Sequence, residues 1–267
     1  MIDRGGVTQD AQVREPDPLV SGGTMTDPFR RGLLAAGLML PFAASAQGTP
    51  QQETWEQRWA RELREDWPML GRYRDENAKL RASGAKTHIV FMGDSITQGW
   101  REKRPAFFKP GRAGRGISGQ TTPQMVLRMM ADVIALGPRF VHIMAGTNDI
   151  AGNTGPMTIE QSFDNYRMMT ELAQANGIKV LLASVPPANG FPWRPGLETV
   201  EPIRARNAWL KDYARRAGAS FVDYTPVLAD AAGGMKPGLA YDGVHPTEAG
   251  YAAMETVLEP LLRARGV

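Results

Sequence analysis

The sequence predicts an α/β protein built on a parallel β-sheet with helices on both faces. Short apolar runs alternate with longer amphipathic segments, and a glycine, a proline or a polar turn follows each apolar run. This alternation is typical of strands that are buried on both sides and joined by crossover helices. No internal repeat or linker interrupts the pattern, so we expect a single domain.

Four short apolar runs are the predicted strands. Each contains Ile, Val, Leu or Phe and is bounded by turn residues, as expected for buried strands. They cover residues 88–92, 140–145, 178–185 and 219–222.

Five segments are predicted helices, because apolar residues recur in them at three- to four-residue steps or because capping residues mark their starts. The first is interrupted near Pro68, since proline breaks a helix interior. In order, they cover residues 52–83, a helix that starts at Pro123, residues 159–173, residues 202–217, and a last helix that starts at Pro246.

The composition is ordinary for a globular protein and excludes several kinds of site. The 267 residues include 31 Lys and Arg against 28 Asp and Glu, for a formal charge of +3, with no cysteine and three histidines. Without cysteine there is no disulfide, zinc–thiolate site, iron–sulfur cluster or cysteine nucleophile. The charge excess is too small to indicate nucleic-acid binding. No apolar run reaches the length of about 18 residues that a membrane-spanning helix needs.

Residues 26–46 have the layout of a secretory signal. A pair of arginines precedes a 12-residue apolar run, and the small-x-small cleavage pattern Ala44-Ser45-Ala46 ends the segment. We expect cleavage before Gln47 and export to the periplasm or the medium. The chain is therefore divided into an N-terminal extension with a signal peptide at 1–46 and a mature domain at 47–267. A short buried helix is the alternative, and the arginine pair matches the twin-arginine route weakly.

The residues directly after each predicted strand are the first candidates for function. In parallel α/β sheets the ligand site lies beyond the carboxyl ends of the strands. The first two strands are followed by Gly93-Asp94-Ser95 and Gly146-Thr147-Asn148-Asp149. The third is followed by a loop over 186–202 that five prolines stiffen, so we expect a fixed wall rather than a mobile lid.

Three residues are candidates for catalysis: a serine as nucleophile, a histidine as its base, and an aspartate whose carboxylate orients the base. Ser95 lies at a strand-to-loop corner, which suits a nucleophile, although a helix N-cap is the alternative. His245 is the candidate base by elimination, because His88 and His142 lie in apolar strand runs and are expected to be core histidines. Asp242, three residues earlier, can reach the imidazole nitrogen that faces away from the serine.

Two further residues are candidate donors to an oxyanion. Asn148 offers a side-chain amide at the mouth of the second strand, and Gly119 offers a backbone N–H in a turn before a helix. Each has an alternative of equal weight: an Asx turn for Asn148, and turn geometry alone for Gly119.

Four blocks stand in a fixed order along the chain: Gly93-Asp94-Ser95-Ile-Thr-Gln-Gly99, Gly119, Gly146-Thr147-Asn148-Asp149 and Asp242-x-x-His245. Together they resemble the four-block pattern of the GDSL/SGNH hydrolases. The resemblance implies a flavodoxin-like, three-layer α/β/α fold (the SGNH hydrolase fold) with about five parallel strands, and a serine esterase that needs no metal or other cofactor. It assigns Ser95 as nucleophile, His245 as base and Asp242 as its orienter. It assigns the Ser95 N–H, the Gly119 N–H and the Asn148 side chain to the oxyanion hole.

The stretch from Gly93 to Trp100 further resembles the branch that includes platelet-activating-factor acetylhydrolase-like esterases and carbohydrate acetylesterases, which implies a small acyl group. Aromatic residues near the expected cleft fit such a substrate. Trp100 follows Ser95 by five residues, and Phe191 and Trp193 lie in the proline-rich loop. We expect these rings to stack on a sugar or to pack against an acyl chain. Packing of the loop on its own domain is the alternative.

Two other sequence patterns do not indicate a binding site. Gly114-Arg-Gly116-Ile-Ser-Gly119 matches the dinucleotide pattern G-x-G-x-x-G, but no clear apolar strand precedes it and no acidic residue lies about 20 residues further on. The basic run over 101–115 is interrupted by proline and glycine, so we interpret it as a solvated loop. The alternative is that this basic run attracts an anionic polysaccharide or a phospholipid surface.

The sequence thus favours an esterase for short acyl groups, acetyl above all, on a carbohydrate or glycoside. No long apolar lid suited to a lipid surface is present in the sequence. A lysophospholipase or arylesterase with the same machinery is one alternative. A non-catalytic carbohydrate-binding protein on a hydrolase scaffold is another, although such proteins usually lose a catalytic block and none is lost here.

Overall fold

The computed structural model describes residues 53–267. The secretory signal predicted at 26–46 and its cleavage site lie outside the described residues. The described chain begins with two helices, α1 (Trp55–Glu65) and α2 (Arg74–Ala82), so the predicted interruption near Pro68 is confirmed. Between them, the Asp66 carboxylate accepts hydrogen bonds from the N–H groups of Leu70 and Gly71 and fixes the turn.

Five parallel strands form one sheet in the order β2-β1-β3-β4-β5. This confirms the predicted α/β class and the parallel sheet. The strands are β1 (Ile89–Gly93), β2 (Arg112–Gly116), β3 (Phe140–Met144), β4 (Lys179–Ala183) and β5 (Ser220–Val222).

Strand β2 differs from the sequence prediction, which treats this basic stretch as part of a solvated loop. All five of its residues are buried. Arg112 pairs with Glu259 at 2.8 Å, and Arg115 pairs with Glu76 at 2.8 Å. Because their charges are met inside the protein, these two arginines are not available to attract an anionic surface.

Helices cover both faces of the sheet. Every residue of β1 and β3 is buried, and since successive side chains point to opposite faces, both faces must be covered. The remaining helices are α3 (Ser95–Lys103), α4 (Thr122–Asp132), the short α5 (Thr147–Ala151), α6 (Ile159–Ala175), α7 (Val200–Arg216), the short α8 (Thr225–Leu228) and α9 (Glu248–Arg263).

The helices form two packed groups, one of α2, α4, α6 and α7 and one of α3, α8 and α9. In the first, the α6 ring Phe163 stacks on the α7 ring Trp209 at 4.0 Å, and Asn77 of α2 donates to Asp132 of α4 at 2.6 Å. In the second, α3 packs against α9, which also contacts α8. Within residues 53–267, no helix is both long and apolar enough to cross a membrane.

The helix starts follow the capping residues of the sequence. Helix α4 starts at Thr122, one residue before the predicted Pro123, because Thr121 and Gln124 form a capping box with Pro123 in the first turn. The last helix begins two residues after the predicted Pro246, because Thr247 is its N-cap and accepts the Gly250 N–H.

Trp100 lies in the core, so its prediction as a substrate-binding residue is wrong. Its side chain is fully buried and stacks between Phe107, at 4.8 Å, and Tyr251, at 5.8 Å. Five residues along a helix place a side chain about 140° away around the axis. Trp100 therefore faces away from the side of α3 that carries Ser95.

The first turn of α3 rests on a pair of glycines. Gly93 and Gly116 are register partners at the carboxyl ends of β1 and β2. A Cβ at Gly93 would clash with Thr97, and one at Gly116 would clash with the backbone of Gln98. The missing side chains let the helix that starts at Ser95 lie directly on the sheet.

Candidate active site

The polar segments predicted after the strands meet at the carboxyl edge of the sheet. Ser95 opens α3 two residues after β1 ends, and Asn148 lies in the first turn of α5 after β3. The loop before α9 brings His245 to the same place. Three distant stretches of chain therefore contribute to one site, as the parallel topology predicts.

Ser95, His245 and Asp242 form a continuous hydrogen-bonded chain. The Ser95 Oγ lies 2.9 Å from His245 Nε2, and His245 Nδ1 lies 2.7 Å from Asp242 Oδ2. A carboxylate only accepts, so the imidazole donates through Nδ1–H and its Nε2 accepts the serine hydroxyl proton. This is the geometry of a nucleophile, a general base and an orienting carboxylate.

The Asp242 carboxylate is held by the backbone of its own loop. Its Oδ1 accepts the N–H groups of Val244, at 3.0 Å, and His245, at 2.7 Å. Partial burial raises the pKa of Asp242, but the hydrogen bonds from His245 and Val244 outweigh burial and lower it below its usual value. The group is therefore ionised at neutral pH and remains an acceptor for the imidazole.

Asp94 rather than Ser95 caps helix α3, so the N-cap alternative for the serine is wrong. The Asp94 carboxylate accepts the Ile96 N–H at 2.9 Å, and Ser95 is the first helical residue. Burial raises the pKa of Asp94 to about 6. Capping by the preceding residue leaves the serine hydroxyl available to His245.

The Asn148 amide is oriented by hydrogen bonds on both its ends. Its Nδ2 donates to the Gln120 carbonyl at 3.0 Å, and its Oδ1 accepts from Asn153 at 2.9 Å. An amide nitrogen has two protons, so a second N–H remains for a ligand in the cavity that Asn148 lines.

Gly119 lies beside Asn148 in a turn that requires glycine. Its φ of +77° is in the left-handed region, and a Cβ there would come 2.9 Å from the Trp59 ring. The neighbouring N–H groups of Ser118 and Gln120 are engaged by Gln98 and Ile117. The turn therefore meets a structural requirement and also lines the cavity.

Ser95, His245, Gly119 and Asn148 line one cavity of about 420 Å³. The structure thus brings together the sequence-predicted nucleophile, base and oxyanion donors. The other lining residues are Trp59, Ser118, Gly152, Asn153, Trp193 and Arg194. Within residues 53–267, no group of three or more His, Cys, Asp or Glu side chains is arranged to hold a metal ion.

The two predicted loop aromatics have different positions. Trp193 is 38% exposed, lines the cavity and lies 5.8 Å from the His245 ring. Phe191 is buried behind it and stacks on it at 5.1 Å, so the expectation that Phe191 contacts substrate is wrong. The turn between them exposes the Trp193 ring and packs it against the buried Phe191 ring.

Two aromatic residues at the site are missing from the sequence prediction. Tyr241 is 62% exposed and stacks on the His245 ring at 5.6 Å. Its position directly before Asp242 is a signal that sequence reasoning can use. Trp59 is predicted only as part of an amphipathic helix, and nothing in its local sequence indicates that it reaches Gly119.

The two other histidines lie away from the nucleophile. His142 is fully buried on β3, where its Nε2 lies 2.9 Å from the Tyr224 hydroxyl, and burial lowers its pKa to about 3. His88 directly precedes β1, at the opposite end of the strand from Ser95, and is half-buried rather than a core residue.

A serine–imidazole–carboxylate chain at the carboxyl edge of a parallel α/β sheet, beside a glycine turn and an asparagine amide, defines a site of the serine-hydrolase class. Residues 91–253 match the model of the GDSL-like lipase/acylhydrolase family. The chain belongs to this family and is a carboxylic ester hydrolase.

The chain is similar to two relatives of known sequence and to one of known structure. Esterase TesA of Pseudomonas aeruginosa is 27% identical over 194 residues, which cover 67% of this chain and 88% of that protein. The uncharacterized lipoprotein YqeF of Bacillus subtilis is 33% identical over 121 residues, which cover 38% of this chain and only 50% of that lipoprotein. The crystal structure of a GDSL-like lipase from Bacteroides thetaiotaomicron is 41% identical, with a TM-score of 0.69, and covers 75% of this chain and 100% of that one.

Proposed function

We propose that the protein hydrolyses short-chain esters, acetyl esters above all, of a carbohydrate or glycoside. Ser95 is the nucleophile, His245 the general base and Asp242 the group that orients it. The observation that carries the proposal is the hydrogen-bonded chain of these three side chains at the wall of a small cavity.

In the acylation step, the Ser95 oxygen attacks the ester carbonyl while His245 Nε2 accepts the hydroxyl proton. The carbonyl oxygen becomes an oxyanion, which accepts hydrogen bonds from the N–H groups of Ser95 and Gly119 and from the Asn148 amide. The imidazolium, balanced by Asp242, then gives its proton to the departing alcohol oxygen.

In the deacylation step, water takes the place of the alcohol. His245 removes a proton from the water, whose oxygen attacks the acyl carbonyl of Ser95. Collapse of the second tetrahedral intermediate releases the carboxylic acid and returns the proton to the serine.

The cavity walls favour a small acyl group and a ring-shaped alcohol. The site is about 420 Å³ in volume, and five prolines restrict the backbone of the loop that carries Trp193. Trp193 and Tyr241 flank the His245 ring, the side from which the leaving alcohol is protonated. Exposed aromatic faces beside this position suit a sugar ring.

We further propose that the enzyme is exported after cleavage near Ala46. Every residue that we place in the catalytic chain and in the oxyanion hole follows that point in the sequence, so the mature domain at 47–267 keeps the whole site.

The test compares wild type with Ser95→Ala on nitrophenyl acetate, butyrate and octanoate and on an acetylated xylan. Wild type is expected to prefer acetate, and Ser95→Ala to lose at least about 1,000-fold in kcat/KM on every ester. Ser118→Ala, which removes another hydroxyl from the same cavity, is the matched control and is expected to lose far less.

Other outcomes identify the alternatives. Equal rates on octanoate and acetate would favour a lysophospholipase or arylesterase. Sugar binding without turnover of any ester would favour a carbohydrate-binding protein. If Ser95→Ala hydrolysed the esters at wild-type rates, the proposed role of Ser95 as nucleophile would be wrong.

A further inference from the structure

The proline-rich loop presents an arginine to the catalytic cavity. The Arg194 N–H donates to the Phe191 carbonyl at 2.9 Å, and the Arg194 carbonyl accepts the Leu197 N–H at 3.2 Å. Pro192 and Pro195 flank the turn and restrict its backbone. The backbone of Arg194 is therefore held in place by this turn.

The Arg194 guanidinium has no acidic partner in the part of the chain that the structure describes. Some arginines elsewhere on the surface are paired, as Arg204 is with Glu201 and Arg104 with Glu255. The acidic side chain nearest in sequence, Glu198, accepts the first N–H groups of α7 instead.

The residues that line the cavity have an unbalanced positive charge, and the Asp242 carboxylate, which is hydrogen-bonded to His245, is not among them. Arg194 is the one Lys, Arg, Asp or Glu among the ten described residues that line it. An adjoining cleft, which shares Trp59 and Ser118 with the cavity, is lined by three arginines and by three acidic residues, so its charges balance. The imbalance is therefore local to Arg194 and is not part of a general basic surface.

We propose that Arg194 binds a carboxylate on the substrate, so that the preferred ester is borne by an acidic sugar or by a comparable carboxylate-bearing molecule. This inference rests on the proposed esterase function and narrows its substrate class. A guanidinium binds a carboxylate through two parallel N–H···O bonds. Trp193, the next residue in the loop, offers a ring face for the same sugar unit.

The experiment uses two ester pairs that differ in one charge. 4-Acetoxybenzoate and its methyl ester place the carboxylate on the alcohol side, and 4-nitrophenyl succinate and its methyl ester place it on the acyl side. For each pair the measurement is the ratio of kcat/KM for the acid to kcat/KM for the methyl ester. The ratios are compared among wild type, Arg194→Gln and the control Arg204→Gln, whose arginine lies on α7 and is paired with Glu201.

We expect Arg194→Gln to lower the ratio about 10-fold for at least one pair, because a charged hydrogen-bonding partner is removed. The control is expected to keep the wild-type ratio. High salt is expected to lower the ratio in wild type but not in Arg194→Gln, since salt screens the exposed charge.

Ratios that Arg194→Gln leaves at the wild-type value in both pairs would overturn the carboxylate site, while Ser95-dependent hydrolysis of the methyl esters would leave the esterase function standing. If wild type hydrolysed no ester of either pair, the proposed function would fail together with the inference.

Discussion

Asp94 places a carboxyl group inside the protein next to the nucleophile. It is 2% exposed and accepts the Ile96 N–H. Burial raises its pKa from 3.8 to about 6, because removing the charged form from water costs more than one hydrogen bond returns. The cap that positions Ser95 is therefore a source of pH-dependent stability.

The sign of that dependence follows from linkage. In the unfolded chain the Asp94 pKa returns to its usual value, so between about pH 4 and pH 6 unfolding releases a proton. The contribution of this group to the free energy of unfolding is fully present below pH 4 and is lost as pH rises through 6. A shift of about two pKa units corresponds to about 3 kcal/mol.

Asp94→Asn is expected to be more stable than wild type at pH 8, by up to about 3 kcal/mol. The difference should shrink to nearly zero at pH 4, where the wild-type carboxyl is neutral in both states. Asparagine still accepts the Ile96 N–H, so the cap is kept. Urea unfolding of both proteins at pH 4 and pH 8 measures this.

Asp212→Asn is the control with the opposite sign. Hydrogen bonds from Arg215 and Arg216 lower the pKa of Asp212, so this variant should be the less stable protein at pH 8. An Asp94→Asn protein that is less stable than wild type at pH 8 would show that the buried carboxylate stabilises the fold.

At the scale of elements, one buried arginine joins the strand that leads to the nucleophile to the turn that carries the oxyanion donor. Arg128 of α4 donates to the carbonyl of Gly93, the last residue of β1, at 2.9 Å, and to that of Arg115, the next-to-last residue of β2, at 2.8 Å. It also donates to the Gln120 side chain and pairs with Asp132 at 2.9 Å. Gln120 directly follows Gly119, so four elements of the site region share this side chain.

Arg128→Met is expected to destabilise the protein by about 3–5 kcal/mol, because it leaves the buried Asp132 without its cation. Both side chains are almost completely buried. Denaturant unfolding measures the loss. Arg216→Met, which breaks a surface pair with Asp212 at 2.9 Å, is the matched control and should cost less than about 1 kcal/mol. Equal losses in the two variants would mean that Arg128 does not tie these elements together.

Buried ion pairs also explain why the sequence analysis does not predict strand β2. Four strands have apolar runs that periodicity detects. In β2 the buried positions include Arg112 and Arg115 instead. They are buried because Glu259 and Glu76 reach them from distant elements, and a local pattern contains no information about such partners. For β2, tertiary pairing overrides the local pattern.

In the candidate site, too, some positions can be predicted from the sequence and others depend on tertiary packing. The rule that polar residues after parallel strands gather at one edge is enough to place Ser95 and Asn148 together. His245 lies far beyond the last strand, and the sequence indicates it only by elimination among three histidines and by the family resemblance. The exposure of Trp193 against the burial of Phe191 depends on which ring the loop supports. Such choices are made by packing and are not visible in spacing along the chain.

At the scale of the whole molecule, the described domain contains every residue of the proposed catalytic chain. Helix α1 starts at Trp55, and Thr54 caps it. Trp59 of this helix lines the catalytic cavity. An N-terminal boundary near residue 47 therefore keeps a complete cavity wall, whereas a boundary beyond α1 would remove part of it.

The predicted cleavage site agrees with this boundary and is open to direct measurement. We expect protein exported by a bacterial host to begin at Gln47, because a small residue precedes it at Ala44 and another at Ala46. Mass spectrometry of the exported protein gives its first residue. Ala46→Arg should block processing, since signal cleavage requires small residues at these positions.

A chain that begins at Gln47 should have the same kcat/KM as the exported enzyme, since it keeps α1 and Trp59. A chain that begins at Asp66 lacks the helix and should lose activity, as the wall beside Gly119 is then open to water. Exported protein that retains residues 1–46 would contradict the predicted signal. Full activity without α1 would contradict the role of this helix as a cavity wall.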